Sequence, residues 1–498
     1  MSPYGSIHTG KSEIIYHSNA YLIPRKCNRV STIYLYLANG ITAADVINSL
    51  EAIEFGEFDW SAVTALYVTT DTLYQQNNQE GRNQPEFTIA NLDGIGIAIE
   101  WIFKVAPRIS SVKLGSRSNF VYPDQLPLQN AIFNNIARLN KLEVSTQFLS
   151  LSMPPVLPPL TVLAISPTHS LENHILTRID PRHLRTLTLN HIQPSHFYEA
   201  FGIEGITEKS PLVFPELRAM FLYFCSPQGR TLAEDDWFNK TRRNRNSPMP
   251  VLFPKLSLVS IHNHYYNITG IFDALLPSPL DVLRLAGHPQ VLDCAELHRF
   301  KNVRKMWINV ECGIGENMPD EMLNRLLLTK MTTIDLTVCS TRYILGHTIS
   351  KIELESLRYL DLELILRHDQ ISSILKQLTK LIRLKCIVDV LAMDFSVPEQ
   401  SILETSKDVC SNTVQHMDLT FYPRRELLDE IRSNAFDQNV ILAYLLSLIA
   451  RVPSLLHLQS CFSEDDFGNY LAKSLDMEKY ADIGRHLKHL KYTKRSNI

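Results

Sequence analysis

The chain has 498 residues, 45% apolar and 20% charged, with a formal net charge of −3. That length holds three or four ordinary domains or one long repeat array. The balanced charge excludes a broadly basic binder of nucleic acid or acidic membrane. The longest apolar-rich run, 440–450, is too short to span a bilayer, and the first twenty residues lack the apolar core of a secretory signal.

Near the amino end, GSIHTGKS (5–12) fits the spacing G-x-x-x-x-G-K-[ST]. In that loop glycines let backbone N–H groups face phosphates, the Lys11 position reaches them and the Ser12 position holds magnesium. A working loop follows a buried strand and opens a helix. Only Met1–Tyr4 precede Gly5, with Pro3 among them, and no apolar run ending in Asp-Glu follows. The string is therefore read as a coincidence of spelling in an amino-terminal segment, 1–29. A phosphate-loop enzyme is the remote alternative. No hydrolase or metalloprotease motif appears elsewhere, so the chain is read as a non-enzyme without cofactors.

From residue 30 one phrase recurs: apolar, two of any kind, apolar, one of any kind, apolar. Its copies are VSTIYL (30–35), VTALYV (63–68), ISSVKL (109–114), LNKLEV (139–144), LTVLAI (160–165), LRTLTL (184–189), LRAMFL (217–222) and LSLVSI (256–261). Then follow LDVLRL (280–285), VRKMWI (303–308), MTTIDL (331–336), LRYLDL (357–362), LIRLKC (381–386), VQHMDL (414–419), LLHLQS (455–460) and LKHLKY (487–492). The phrase is the core of leucine-rich repeats. Its last four positions alternate as a short strand does. Apolar residues at three- and four-residue spacing predict helices within 42–53, 96–106, 369–378 and 426–452. Proline just before many phrases, as in FPEL and FPKL, ends each helix and launches the strand. The fold expected over 30–498 is an α/β, irregular leucine-rich-repeat solenoid, right-handed, with a parallel β-sheet on the concave face and helices on the convex face.

The ninth position of such repeats is usually Asn or Cys. Here it is Cys225 and Cys339 in two copies, and Arg117, Gln147, Ile192, His264, His288 and Ile365 in others. Between two phrases, 227–250 carries Lys240, Arg242, Arg243 and Arg245 after Glu234, Asp235 and Asp236. Mixed charge without apolar periodicity marks it as a disordered insertion rather than a phosphate-binding patch. After LSLVSI comes HNHYY, with His262, His264, Tyr265 and Tyr266. H-x-H can supply two zinc ligands, but no Cys, Asp or Glu nearby completes a set, so no metal site is assigned and the stretch is read as a rim loop.

Position five of each phrase faces outward from the sheet. Around the middle of the chain this row, with its neighbours, gives Phe221, Tyr223, His262, Arg284 and Trp307. Aromatics with Arg, flanked by charge, have the composition of protein-binding hot spots. These five are the candidate binding residues. Eight cysteines occur singly, which points to free thiols in a reducing compartment, cytoplasmic or nuclear. The sequons at Asn239 and Asn267 matter only in a secreted protein.

The loose phrase, the F-P-x-L lead-in, the varying repeat length and the cysteines at ninth positions resemble the leucine-rich regions of fungal F-box proteins. IIYHSNAYLIPRKCNRVSTIYLYL (14–37) is similar to the segment joining an F-box to its first repeat there. The resemblance implies that the repeats hold a protein destined for ubiquitylation, while an F-box recruits a Skp1-type adaptor. The F-box itself is missing: repeats begin by residue 30, and the lookalikes at 125–139 and 318–331 lead directly into repeat strands. A Skp1-type partner is therefore expected only if an F-box exists upstream. No nucleic acid and no membrane are expected. A scaffold or regulator with no ubiquitin link is the alternative.

Overall fold

A computed structural model of the chain describes residues 13–17, 31–37, 60–70, 92–116, 131–132, 134–144, 157–165, 179–194, 197, 201, 212–224, 251–264, 268–288, 297–300, 302–311, 333–340, 344–345, 354–404, 408–422, 437–474 and 481–494. The phosphate-loop string, the 227–250 insertion and the helix expected over 42–53 lie outside them. The chain divides into two compact units, 1–259 with 270–278, and 260–269 with 279–498.

The first unit contains β1 (Glu13–His17), β2 (Thr32–Leu37), β3 (Ala65–Thr70), β4 (Ser111–Ser116), β5 (Lys141–Val144), β6 (Val162–Ile165), β7 (Thr186–Ile192) and β8 (Ala219–Phe224). Each pairs in parallel with the next. β9 (Leu258–Asn263) divides between the units, its residues from Ser260 belonging to the second. The second unit continues with β10 (Val282–Gly287), β11 (Lys305–Val310), β12 (Asp335–Ser340), β13 (Ile344–Leu345), β14 (Tyr359–Leu366), β15 (Arg383–Asp389), β16 (His416–Tyr422), β17 (His457–Ser460) and β18 (Lys491–Lys494). These too are parallel, with the short β13 lying beside β14 while β12 also pairs β14. Both units are therefore stretches of α/β leucine-rich-repeat solenoid.

The phrase explains the packing. Its first, fourth and sixth residues are buried, as in Leu280, Leu283 and Leu285, or Leu357, Leu360 and Leu362. The carbonyl of the second residue accepts the N–H groups of the second and third residues of the next coil. Asp281 takes Arg304 and Lys305, Arg304 takes Ile334 and Asp335, and Ile334 takes Arg358 and Tyr359. This ladder fixes register from coil to coil, so each outward side chain stands beside its counterpart.

Two phrases are corrected by that ladder. MTTIDL is two residues early: Leu336 pairs with Met306 and Leu360, which makes Thr333 the leading residue and Thr337, not Asp335, the fifth. Thr333 is fully buried, and its hydroxyl donates to the Val303 carbonyl at 3.1 Å, which satisfies a polar group in an apolar position. The last phrase shifts likewise, because Tyr492 rather than Leu490 pairs with Leu458. Leu490 is still buried, at the end of the preceding helix turn. At the other end, β1 precedes the first phrase. The phrase missed it because Lys11 stands where the leading apolar residue belongs.

Helices and turns connect the coils. Helix α1 (Leu92–Val105) buries Ile99, Ile102 and Phe103 at helical spacing. In the second unit, α2 (His368–Gln377), α3 (Glu399–Glu404), α4 (Gln438–Ala450), α5 (Glu464–Ser474) and α6 (Ala481–His489) do the same work. α4 contains the 440–450 run and is buried nearly all round, starting at Asp437, whose carboxylate accepts from the Asn439 N–H at 2.8 Å. In the first unit the F-P-x-L lead-ins meet: Phe214 and Phe253 are fully buried against Phe201, and Glu216 pairs with Lys255.

Candidate functional site

In the first unit, position five forms one registered row: Tyr34, Tyr67, Lys113, Glu143, Ala164, Thr188 and Phe221. Glu143 is held from both sides, by Lys113 at 2.9 Å and Lys141 at 2.8 Å. Burial alone would raise its pKa; the two lysines outweigh burial and hold it below the usual value. Phe221 is half-buried beside Thr188. Tyr223, two residues on, pairs with Asn190 and is 39% exposed.

In the second unit, Arg284, Trp307, Thr337, Asp361, Lys385, Asp418 and Gln459 occupy position five on successive strands. Arg284 is exposed and Trp307 half-buried. Lys385 donates to one Asp361 oxygen at 2.7 Å and lies 3.7 Å from Glu363, so the charges of this stretch partly neutralise one another. Asp418 is buried.

Sequence reading passed over position three. In register it runs Lys305, Asp335, Tyr359, Arg383, His416, His457 and Lys491. Tyr359 is 42% exposed, and the His416 and His457 rings stack with centroids 5.2 Å apart. Burial, then the neighbouring His457 and Arg383, lower the His416 pKa. Tyr359, Arg383, His416, Asp418, His457 and Gln459 line an open groove of about 470 Å³. The signal was available: position three faces the same side as position five, and its basic and aromatic residues stand two places before the row that was read.

His262 is drawn into a different arrangement. Its Nε2 lies 2.7 Å from Nε2 of His264 and 3.2 Å from Oε1 of Glu311, while His264 Nε2 lies 3.1 Å from Oε2 of Glu311. The sequence offered no third ligand near H-x-H, and this is corrected: Glu311 comes from two coils further on. His264 and Glu311 both occupy ninth positions, after LSLVSI and VRKMWI. Gly287 of the intervening coil admits the backbone between the two histidines, since a Cβ there would stand 1.7 Å from the Asn263 carbonyl oxygen. Asn309 donates to Glu311 Oε1 at 3.1 Å and so orients the carboxylate. Burial lowers the His264 pKa, with Glu311 acting in the opposite sense. Among the described residues this is the one group of three such side chains placed to share a cation.

Among the described residues the cysteines give no reactive centre. Cys339, Cys386 and Cys410 are thiols outside any disulfide, and burial pushes the Cys339 thiol up to about 12 and Cys386 up as well. The two-residue shift also moves Cys339 from ninth to seventh position. Directly after Ser12 the chain enters β1 rather than a helix, so the helix N-terminus that a phosphate loop requires is not supplied there. No helix among the described residues is long and apolar enough to cross a membrane.

No protein-family model and no curated protein matches the chain. Among solved structures, the crystal structure of the TLR13–ssRNA13 complex matches with 14% sequence identity and a TM-score of 0.40, over 87% of this chain and 56% of that one. The chain thus spans little more than half of that structure's length. So low a TM-score carries no weight for function, and the repeat architecture rests on the strand pairing described above.

Proposed function

We propose that this chain is a protein-binding leucine-rich-repeat module, and that a partner docks on the outward rows of the second unit. One observation carries the reading: Arg284 and Trp307 stand side by side on paired strands, with neither side chain taken up by the core. A half-exposed indole fills a partner's pocket at low entropy cost, and a guanidinium can fork onto a carboxylate. The groove from Tyr359 to Gln459 extends the same face. Phe221 and Tyr223 are proposed as contacts on the first unit. The rows mix both signs of charge, which favours a protein surface over a phosphate backbone.

The test is affinity capture from source cells. Trp307→Ala and Arg284→Ala should each weaken capture by about 1–3 kcal/mol while leaving the melting temperature nearly unchanged. If both variants fold and keep every partner, binding lies elsewhere on the chain.

The resemblance to fungal F-box proteins supports a finer reading: the substrate-recruiting part of a ubiquitin-ligase subunit of the cytoplasm or nucleus. A Skp1-type adaptor then binds only through an F-box upstream of the repeats. In that reading the captured protein accumulates and loses ubiquitin conjugates when the gene is deleted. Unchanged abundance and conjugation favour a scaffold with no ubiquitin link.

A further inference from the structure

We propose that His262, His264 and Glu311 bind a divalent transition-metal ion of the zinc class. Imidazole nitrogen and carboxylate oxygen are both ordinary zinc ligands, and three protein ligands with further positions left to water make a recognised zinc arrangement. The two imidazole nitrogens lie 2.7 Å apart, and each is within 3.2 Å of a different Glu311 oxygen, so one ligand atom from each residue falls within reach of a single ion.

Proton counting points the same way. Nitrogens 2.7 Å apart cannot both carry a hydrogen directed at the other. Both carboxylate oxygens approach the same pair of nitrogens, so four electron-rich atoms converge on one place. A single cation at their centre satisfies them together.

The surroundings are those of a built site. His262, in β9, and His264, just past its end, bring their rings together with centroids 4.6 Å apart. Gly287 on the neighbouring strand admits the Asn263 backbone between them. Asn309 fixes the carboxylate, and the Cys339 thiol donates to the Asn309 side-chain oxygen at 3.6 Å, holding Asn309 in turn. The three ligands are 36%, 26% and 23% exposed, so an ion can enter from solvent.

The experiment uses the whole chain with any purification tag removed, titrated with zinc chloride by calorimetry. One saturable ion per chain is expected, with a zinc-induced rise in melting temperature. His264→Ala and Glu311→Gln should each weaken binding at least tenfold and abolish that rise. Asn309→Ala, a positioning change, should weaken it about 10–100-fold. His489→Ala, an exposed histidine at the end of α6 and away from the cluster, should bind as the wild type does. Glu311→Gln keeps the side-chain volume and the acceptor for Asn309, so its result does not hinge on folding. Absence of saturable zinc binding, or binding unchanged in both His264→Ala and Glu311→Gln, overturns the proposal.

Discussion

At Gly287 a Cβ atom would stand 1.7 Å from the carbonyl oxygen of Asn263. No rotamer relieves that overlap, because both atoms belong to backbone or are rigidly fixed to it. Gly287→Ala should therefore pry β9 from β10, costing on the order of 2–4 kcal/mol, and should shift the histidine signals of His262 and His264 in an NMR spectrum. A variant as stable as the parent with unmoved signals would show that the close approach is not made. His368 makes a different point. It packs edge-on against Tyr444, with ring centroids 5.2 Å apart, and its buried Nε2 has no hydrogen-bond partner among the described residues. Burial, then the charge of Arg451, lowers its pKa from 6.5 to about 4. A lowered histidine pKa means that the unfolded chain takes up the proton first as pH falls. The contribution to stability is thus whole above pH 6.5 and is lost between 6.5 and about 4, up to about 3 kcal/mol. Urea unfolding at pH 7.5 and pH 4 should show this loss, and His368→Phe should make it smaller. An equal loss in both proteins would remove His368 as the cause.

Within a single strand the alternation of burial sets opposite outcomes for neighbouring residues. Leu360 is 1% exposed, so Leu360→Ala should leave a cavity and cost about 2–5 kcal/mol. Tyr359, adjacent but facing outward, should change stability by less than about 0.5 kcal/mol on replacement by Ala. Thermal melting of the two variants checks both at once, and similar losses would mean that β14 is turned otherwise. The same alternation accounts for the missed position-three row: a strand that repeats every two residues presents two outward residues per phrase, and reading only the second sees half of the face.

In a repeat array each coil rests on its neighbours, so a defect is felt first beside it. Leu384→Ala in β15 should raise amide hydrogen exchange in β14 and β16 before it does so in β10, within the same unit. Uniform loss of protection across the second unit would mean that it unfolds all at once. At this scale too, β1 extends the first unit's sheet ahead of residue 30, although its lead-in carries Lys11 instead of an apolar residue.

The sequence by itself determined the repeat, and through it the fold, because an apolar spacing of three and then two is a local property that each coil must satisfy alone. It also placed Arg284 and Trp307 at equivalent positions, and their pairing follows directly. Frame was decided between coils: Thr333 and Leu336 are recognisable only through the backbone ladder to Val303, Arg304 and Met306, since threonine passes for polar until its hydroxyl has found a carbonyl. The histidine–glutamate cluster was likewise beyond local reading. His264 and Glu311 are brought together across an intervening coil, whose Gly287 admits the Asn263 backbone between the two histidines, and a glycine's smallness there means nothing until the strands are side by side.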